Sequence, residues 1–141
     1  MNPIRTSAIA TAIALAATGA AQAGGVLPPQ HTQGSVRYVT GGVGLDEAQA
    51  MKKEMPRYAL SMEFVGTQGK RGEYLADIPV KIKNRKGVVA LDVVSDGPYL
   101  LVDLSPGKYA IEASYNGNTE RRSVEVQNKG AAHLLFEWKA A

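Results

Sequence analysis

From residue 58 onward, apolar side chains recur at every second position, in short runs that glycine and proline residues separate. A period of two is typical of β-strands that bury one face, because successive side chains of a strand point to opposite sides. The positions predicted to point inward are Tyr58, Leu60, Met62, Phe64, Ile78, Val80, Ile82, Val89, Leu91, Val93, Leu100, Val102, Leu104, Tyr109, Ile111, Ala113, Tyr115, Val124, Val126, Leu134, Phe136 and Trp138. Runs of this kind predict about seven short strands.

The turns between these runs can be typed from their residues. Pro106-Gly107 fits a type II turn, which takes proline followed by a residue with positive φ. Asn116-Gly117 is typical of a two-residue hairpin, and residues 84–87 fit a hairpin closed by a glycine bulge. Together with Asp96-Gly97, these reversals follow one another too closely for a helix. We therefore expect an all-β domain, a seven-stranded antiparallel β-sandwich.

The segment before residue 58 has a different pattern. In residues 35–40, Val36 and Tyr38 fall on one face of a predicted strand, with Arg37 and Val39 on the other. The strand is followed by a glycine-rich turn and then by a stretch with helical spacing.

One short N-terminal helix is predicted after that turn. Asp46 can cap its start, it runs to about residue 55, and Pro56 ends it. Its apolar positions are Leu45, Ala48, Met51 and Met55. This narrow stripe predicts a helix that packs on the sheet, although methionines also suit an adaptable partner-binding face. Residues 35–57 are thus a predicted extension of the sandwich.

Residues 1–23 have the three regions of a bacterial signal peptide. Arg5 supplies a positive charge, an apolar run of about ten residues follows, and Ala21-Gln22-Ala23 matches a cleavage site. The apolar run is shorter than the roughly 20 residues that a membrane-spanning helix needs. We therefore expect cleavage after Ala23 and a periplasmic or secreted protein without a transmembrane anchor.

The rest of the chain divides into two parts. Residues 24–34 combine glycine, proline and polar side chains without periodicity, which predicts a flexible mature N-terminus. Residues 35–141 are predicted to form a single β-sandwich domain, which agrees with the total length of 141 residues.

Composition argues against several classes of function. The chain has no cysteine and two histidines, and its formal charge of +3 is too small to indicate a nucleic-acid-binding protein. His31 lies in the predicted flexible segment and His133 on an outward-facing strand position, so neither has the partners that a metal site or a nucleophilic serine requires. Residues 41–44 are rich in glycine but lack the lysine of a phosphate loop. We expect no catalytic residue, metal or cofactor.

Residues 78–126 resemble a known family. The matching elements are Val80-Lys81-Ile82, Gly87, Asp96-Gly97 and the sequence LSPGKYAI at residues 104–111. Their order is similar to that of the carboxypeptidase regulatory-like family, and to small exported proteobacterial proteins that carry one such domain. The resemblance implies a Greek-key sandwich of the transthyretin-like, or prealbumin-like, type. It implies no catalytic residue, because the family's domain accompanies a peptidase and is not the peptidase itself.

The first functional hypothesis is a non-catalytic, exported interaction module that binds a protein or peptide in the bacterial envelope. The predicted contact residues form a basic stripe: Lys81, Lys83, Arg85, Lys86, Arg121 and Arg122. Such a stripe suits an acidic partner. The competing interpretation is that these charges keep the sheet soluble and protect its edges.

The alternative hypothesis is a carbohydrate-binding module. Tyr74 and Tyr99 are its predicted stacking residues, because each follows or precedes a glycine-containing turn and an exposed aromatic face packs well on a sugar ring. Tyrosine is also a common core residue of sandwiches, so burial of these rings would count against the hypothesis.

Overall fold

The computed structural model describes residues 26–139, so the predicted signal peptide lies outside the described residues. This part of the chain forms ten strands, one α-helix and one short 3-10 helix. The elements are β1 (His31–Gln33), β2 (Val36–Gly41), α1 (Leu45–Glu54), the 3-10 helix (Met55–Arg57), β3 (Leu60–Gln68), β4 (Arg71–Tyr74), β5 (Ile78–Asn84), β6 (Val89–Ser95), β7 (Tyr99–Asp103), β8 (Gly107–Tyr115), β9 (Asn118–Val126) and β10 (Ala132–Lys139).

The strands form two sheets, which confirms the predicted all-β class with one short helix. Sheet A has six strands in the order β1-β2-β7-β3-β10, and β4 pairs with the second half of β3. Sheet B has four strands in the order β6-β5-β8-β9.

The inner faces of the two sheets bury one apolar core. Phe64 and Phe136 come from neighbouring strands of sheet A, and their ring centroids lie 5.5 Å apart. Ile82 and Ile111 come from sheet B and are fully buried in the same cluster. Full burial of each large apolar side chain contributes about 1.5–3 kcal/mol. The period of two therefore predicted these core positions correctly.

Helix α1 covers the outer face of sheet A above β2 and β7. Met51 is fully buried there and packs with Val39, Leu101 and Tyr99 in a second apolar cluster. The prediction that the helix packs on the sheet is confirmed. Tyr58 belongs to this outer cluster and not to the inner core, because it follows the 3-10 helix and precedes the first residue of β3.

The start of α1 differs from the prediction. Gly44 occupies the N-cap position and no side chain caps the helix, while Asp46 lies in the first turn. The carboxylate of Glu47 instead accepts a hydrogen bond from the backbone N–H of Gly42 at 2.8 Å, which closes the glycine-rich turn. Leu45 is 72% exposed and contributes nothing to the stripe. Between residues 26 and 139, no helix is long and apolar enough to cross a membrane.

Polar side chains join the two sheets where β2 meets β6. The buried hydroxyls of Thr40 and Ser95 lie 2.9 Å apart, and Thr40 Oγ1 accepts the backbone N–H of Asp96 at 2.7 Å. The side-chain amide of Gln33 accepts the N–H of Asp92 at 2.8 Å and donates to its carbonyl at 3.0 Å. These two hydrogen bonds reproduce the pattern that the backbone of a neighbouring strand would form with the edge of β6. Residues 31–33, which were predicted to be flexible, are therefore a strand that anchors sheet A to sheet B.

The strand arrangement corrects the predicted seven-stranded antiparallel sandwich in two ways. Strand β10 runs parallel to β3, with Ala132 opposite Leu60. Strands β1 and β4 were not predicted, because all their residues are exposed and show no alternation. Val89, predicted to point inward, is 46% exposed because a bulge between Ile82 and Lys83 shifts the register.

The joint between β2 and β6 should be sensitive to loss of one hydroxyl. Thr40→Val keeps the side-chain shape but leaves the Asp96 N–H without its acceptor, so we expect the free energy of unfolding to fall by about 1–3 kcal/mol. Thr119→Val is the matched control, since that hydroxyl bonds Ser114 at 2.8 Å on an exposed face and should change stability by less than about 0.5 kcal/mol. Urea denaturation measures both, and equal losses would contradict the proposed joint.

Candidate functional site

Sheet B presents its outer face without a covering helix, and a row of alternating charges crosses it. Asp92, Lys81, Glu112 and Arg121 lie directly opposite one another on the four adjacent strands. Arg121 Nε lies 2.7 Å from Glu112 Oε2. Acidic side chains therefore flank two members of the predicted basic stripe, Lys81 and Arg121, so the stripe is not uniformly positive.

The cations around Glu112 lower the pKa of its carboxyl group. The hydrogen bond from Arg121 lowers the pKa of Glu112, and the positive charges of Lys83 and Lys81 lower that pKa further. The Glu112 carboxylate thus stays ionised and neutralises part of the stripe.

The next row across the face is different, because small residues occupy its centre. Lys83 lies opposite Ala110, and Ala110 lies opposite Ser123. Two shallow depressions of about 440 Å³ and 300 Å³ share Ala110 and Ser123 in their walls. Arg85 and Lys108 border the larger depression and Lys83 the smaller. We call Lys83, Arg85 and Lys108 the basic rim.

The basic rim is unpaired within the described chain. Among residues 26–139, none of its three cations lies within salt-bridge distance of a carboxylate. Lys86, beside it in the exposed turn, is likewise unpaired in that range, and its backbone N–H donates to Asn84 Oδ1 at 2.9 Å. Lys108 was not among the residues predicted from the sequence, although it follows the Pro106-Gly107 turn.

Arg122 does not belong to the stripe, which corrects the prediction. It lies opposite Ile111, whose side chain is in the core, so it projects toward the edge of sheet A. Its guanidinium donates to the carbonyl of Leu135 at 2.9 Å and lies 5.1 Å from the centroid of the Phe136 ring. Arg121 and Arg122 are neighbours in sequence but occupy opposite faces, because side chains alternate along a strand.

The structure brings Tyr74 and Tyr99 together on the outer face of sheet A, with ring centroids 5.9 Å apart. Tyr74 is 54% exposed, but Tyr99 is fully buried. The backbone of Gly42 lies so close to the Tyr99 ring that a Cβ at this position would overlap it. The prediction of Tyr99 as an exposed stacking residue is therefore wrong, and only Tyr74 presents a face.

Beside these tyrosines lies a polar chain that the sequence analysis missed. Ser61 Oγ is 2.9 Å from His133 Nδ1, and His133 Nε2 is 3.7 Å from Glu63 Oε1. Tyr99 Oη donates to Glu63 Oε2 at 3.5 Å. Serine, histidine and carboxylate are the side chains of a hydrolytic triad, but Ser61 is only 1% exposed. A buried hydroxyl orients the imidazole and offers no accessible nucleophile.

No described group of side chains resembles a metal centre. Within residues 26–139, no set of three histidine, aspartate or glutamate side chains is placed to hold an ion. His31 lies apart from His133, on β1, where its ring centroid is 5.4 Å from that of Tyr38.

Comparison with models of known protein families, and with curated proteins, found no match for this chain. The chemistry of both outer faces therefore rests on the geometry described above.

The two adjacent arginines should differ in their contribution to stability. Arg122→Ala removes a charged hydrogen bond and a cation–π contact between the sheets, so we expect the free energy of unfolding to fall by about 1–3 kcal/mol. Arg121→Ala removes only the exposed pair with Glu112 and should move the denaturation midpoint much less. The opposite order would show that Arg122 faces solvent.

Burial raises the pKa of Tyr99 well above its usual value of about 10, and the neighbouring Tyr74 and Glu63 raise it further. The folded state thus favours the neutral phenol. Its contribution to stability is complete below about pH 10 and is lost as the pH rises above that value, where the unfolded chain ionises first.

Tyr99→Phe should therefore weaken the alkaline loss of stability. We expect the variant to resemble the parent at neutral pH, because it gives up one long hydrogen bond, and to lose less stability between about pH 10 and 12. Denaturation at a series of pH values measures the slope, with Tyr38→Phe as the control, because that phenol packs on the inner cluster and not beside Tyr99. Identical slopes in parent and Tyr99→Phe would contradict the assignment.

Proposed function

We propose that this protein is a non-catalytic interaction module that binds an acidic segment of another protein on the outer face of sheet B. The observation that supports it is the basic rim, which surrounds a floor of small side chains, Ala110 and Ser123, and has no carboxylate partner in the described chain. Unpaired cations around a shallow depression are available to meet carboxylates of a partner.

The charge pattern favours a peptide with separated acidic residues over a continuous polyanion. Glu125 lies opposite Lys108, and Glu112 lies one row away on β8. These carboxylates would repel a phosphate backbone that ran along the face. Acidic side chains spaced along an extended segment can instead reach the cations individually, and the fixed acids then select the register.

The non-catalytic part of the proposal is supported by the position of the titratable groups. The two histidines lie on β1 and β10 of sheet A, on the other side of the core from the basic rim. Ser123, the hydroxyl nearest the rim, has neither histidine on its own face. Binding is therefore the chemistry that this surface offers.

The bacterial envelope is the proposed location, on the strength of the signal-peptide pattern in residues 1–23. We also propose kinship with carboxypeptidase regulatory-like modules and a Greek-key, transthyretin-like topology. Its support is that Asp96-Gly97 and Pro106-Gly107 link strands in the two sheets in the order that the resemblance implies, and that β7 lies between β2 and β3 although it follows them in sequence.

Glycan binding is the second candidate. Its support is the half-exposed ring of Tyr74 on the outer face of sheet A, which packs against the buried ring of Tyr99. A single exposed ring is a smaller platform than the pair that the sequence suggested.

A charge-reversal experiment tests the proposed function. The probe is a labelled peptide of alternating glutamate and serine residues, with a glutamine-for-glutamate peptide as the neutral reference, and anisotropy at low salt measures affinity. Lys83→Glu combined with Arg85→Glu should weaken binding of the acidic peptide about tenfold or more.

The matched control reverses two cations elsewhere. Lys52 and Lys53 lie on α1, are exposed and have the same total charge, so Lys52→Glu with Lys53→Glu should change affinity less than twofold. If both double variants weakened peptide affinity equally, the loss would be due to net charge alone, and the proposal would be overturned. So would failure of the parent to distinguish the acidic peptide from the neutral one.

A further inference from the structure

A polar cleft with an aromatic wall lies at one end of the sandwich, between the β3–β4 hairpin and the β8–β9 hairpin. Its volume is about 520 Å³, within the range of small-molecule binding sites. Trp138 and Tyr115 line its inner side, with ring centroids 5.9 Å apart. The basic rim borders the first residues of β8 and Tyr115 is the last, so the two sites occupy opposite ends of that strand.

The sequence builds the cleft with glycine at one position. Trp138 lies opposite Gly66 in the parallel β3–β10 pair. A Cβ at Gly66 would lie 3.2 Å from the side chain of Leu75, which is a tight contact. Glycine therefore leaves β3 without a side chain beside the indole. The indole is itself fixed, because Trp138 Nε1 donates to the carbonyl of Asn118 at 3.0 Å. The aromatic wall is therefore held in place before any ligand arrives.

The remaining lining is hydrogen-bonding and of mixed charge. Three carboxamides face the cleft, those of Gln68, Asn116 and Asn118, and each can donate and accept. Arg71 and Glu73 stand on β4 at its rim and Lys139 at the end of β10, and none of the three forms an ion pair with another residue between 26 and 139. The cleft thus offers both donors and acceptors, with two cations and one carboxylate.

We propose that this cleft binds a carbohydrate. Each sugar hydroxyl both donates and accepts, which matches carboxamides flanked by a guanidinium, an ammonium group and a carboxylate. The apolar C–H face of a sugar ring fits against the half-buried ring of Tyr115, which packs on the buried Trp138. A purely apolar ligand would strip water from the polar side chains of this lining without replacing their hydrogen bonds. The site is separate from the basic rim and does not depend on it.

Trp138 gives the experiment a built-in probe, because it is the only tryptophan of the chain. The whole protein is titrated with maltotriose, chitotriose and a trimer of galacturonic acid, and tryptophan fluorescence is followed. We expect saturable change with at least one trimer. No saturable change with any of the three, confirmed by calorimetry, would overturn the proposal.

Variants then locate the binding site. Arg71→Ala with Glu73→Ala should weaken the sugar at least tenfold, and Asn118→Ala, tested singly, should weaken it in the same direction while its backbone carbonyl remains available to Trp138. Tyr74→Ala is the matched control, since Tyr74 follows Glu73 on β4 but projects to the outer face with Val65. It should change affinity less than twofold.

The outcomes separate this inference from the proposed function. Loss of sugar binding in Tyr74→Ala, or its retention in both cleft variants, would place the glycan elsewhere and overturn the inference. Lys83→Glu with Arg85→Glu should leave sugar affinity unchanged, whereas the cleft variants should leave acidic-peptide binding unchanged. Near-ultraviolet circular dichroism verifies that each variant is folded.

Discussion

Burial of one apolar core between two sheets is the constraint on which the rest of this structure depends. Every strand that lines the core must commit alternate side chains to it, and fully buried residues such as Phe64, Leu91, Ile111 and Phe136 meet from both sheets. The remaining side chains are thereby assigned to an outer face or to an edge. In sheet A, α1 then covers much of the outer face, and in sheet B that face stays open. The distribution of candidate surfaces follows from this difference.

The edges of the sheets are held by side chains that reach between layers. Gln33 supplies both halves of a strand-like pairing to Asp92 at the edge of β6. On the other side of the sandwich, Arg122 binds a carbonyl of β10 and Trp138 binds a carbonyl of β9. Exposed strand edges invite pairing with other chains, and these contacts occupy part of the edges of β6, β9 and β10. The surfaces proposed for binding lie on the outer face of sheet B and in the cleft.

The alternation of apolar and polar residues predicted most of the core because it is a local property that the sequence of a single strand already contains. It also contained the signal for Arg122, since Val124 and Val126 point inward and the same parity carries Arg122 with them. Similarly, apolar residues on both faces of β7 indicated a strand covered on each side, and hence a buried Tyr99. What the pattern cannot supply is a partner that lies far away in sequence, such as the parallel alignment of β10 with β3.

The candidate sites show the same limit. The basic rim combines residues of β5, the following turn and β8, and only the strand order reveals that small residues separate them. The contact between Ser61 and His133 joins residues 72 positions apart. The cleft needs two hairpins from different sheets, and its defining glycine at position 66 looks like an ordinary loop residue until Trp138 is placed opposite it.

The parallel pairing of β3 with β10 also bears on how the chain acquires its structure. Leu60 and Ala132 lie far apart in sequence, so their pairing is a non-local contact of the kind that slows folding. Until β10 docks, Phe64 lacks the Phe136 ring and the edge of β3 is open. Without β10 the inner core therefore lacks both Phe136 and Trp138. We therefore expect the core to close only when β10 pairs with β3, so loss of this one pairing would open the sandwich along its β3 edge.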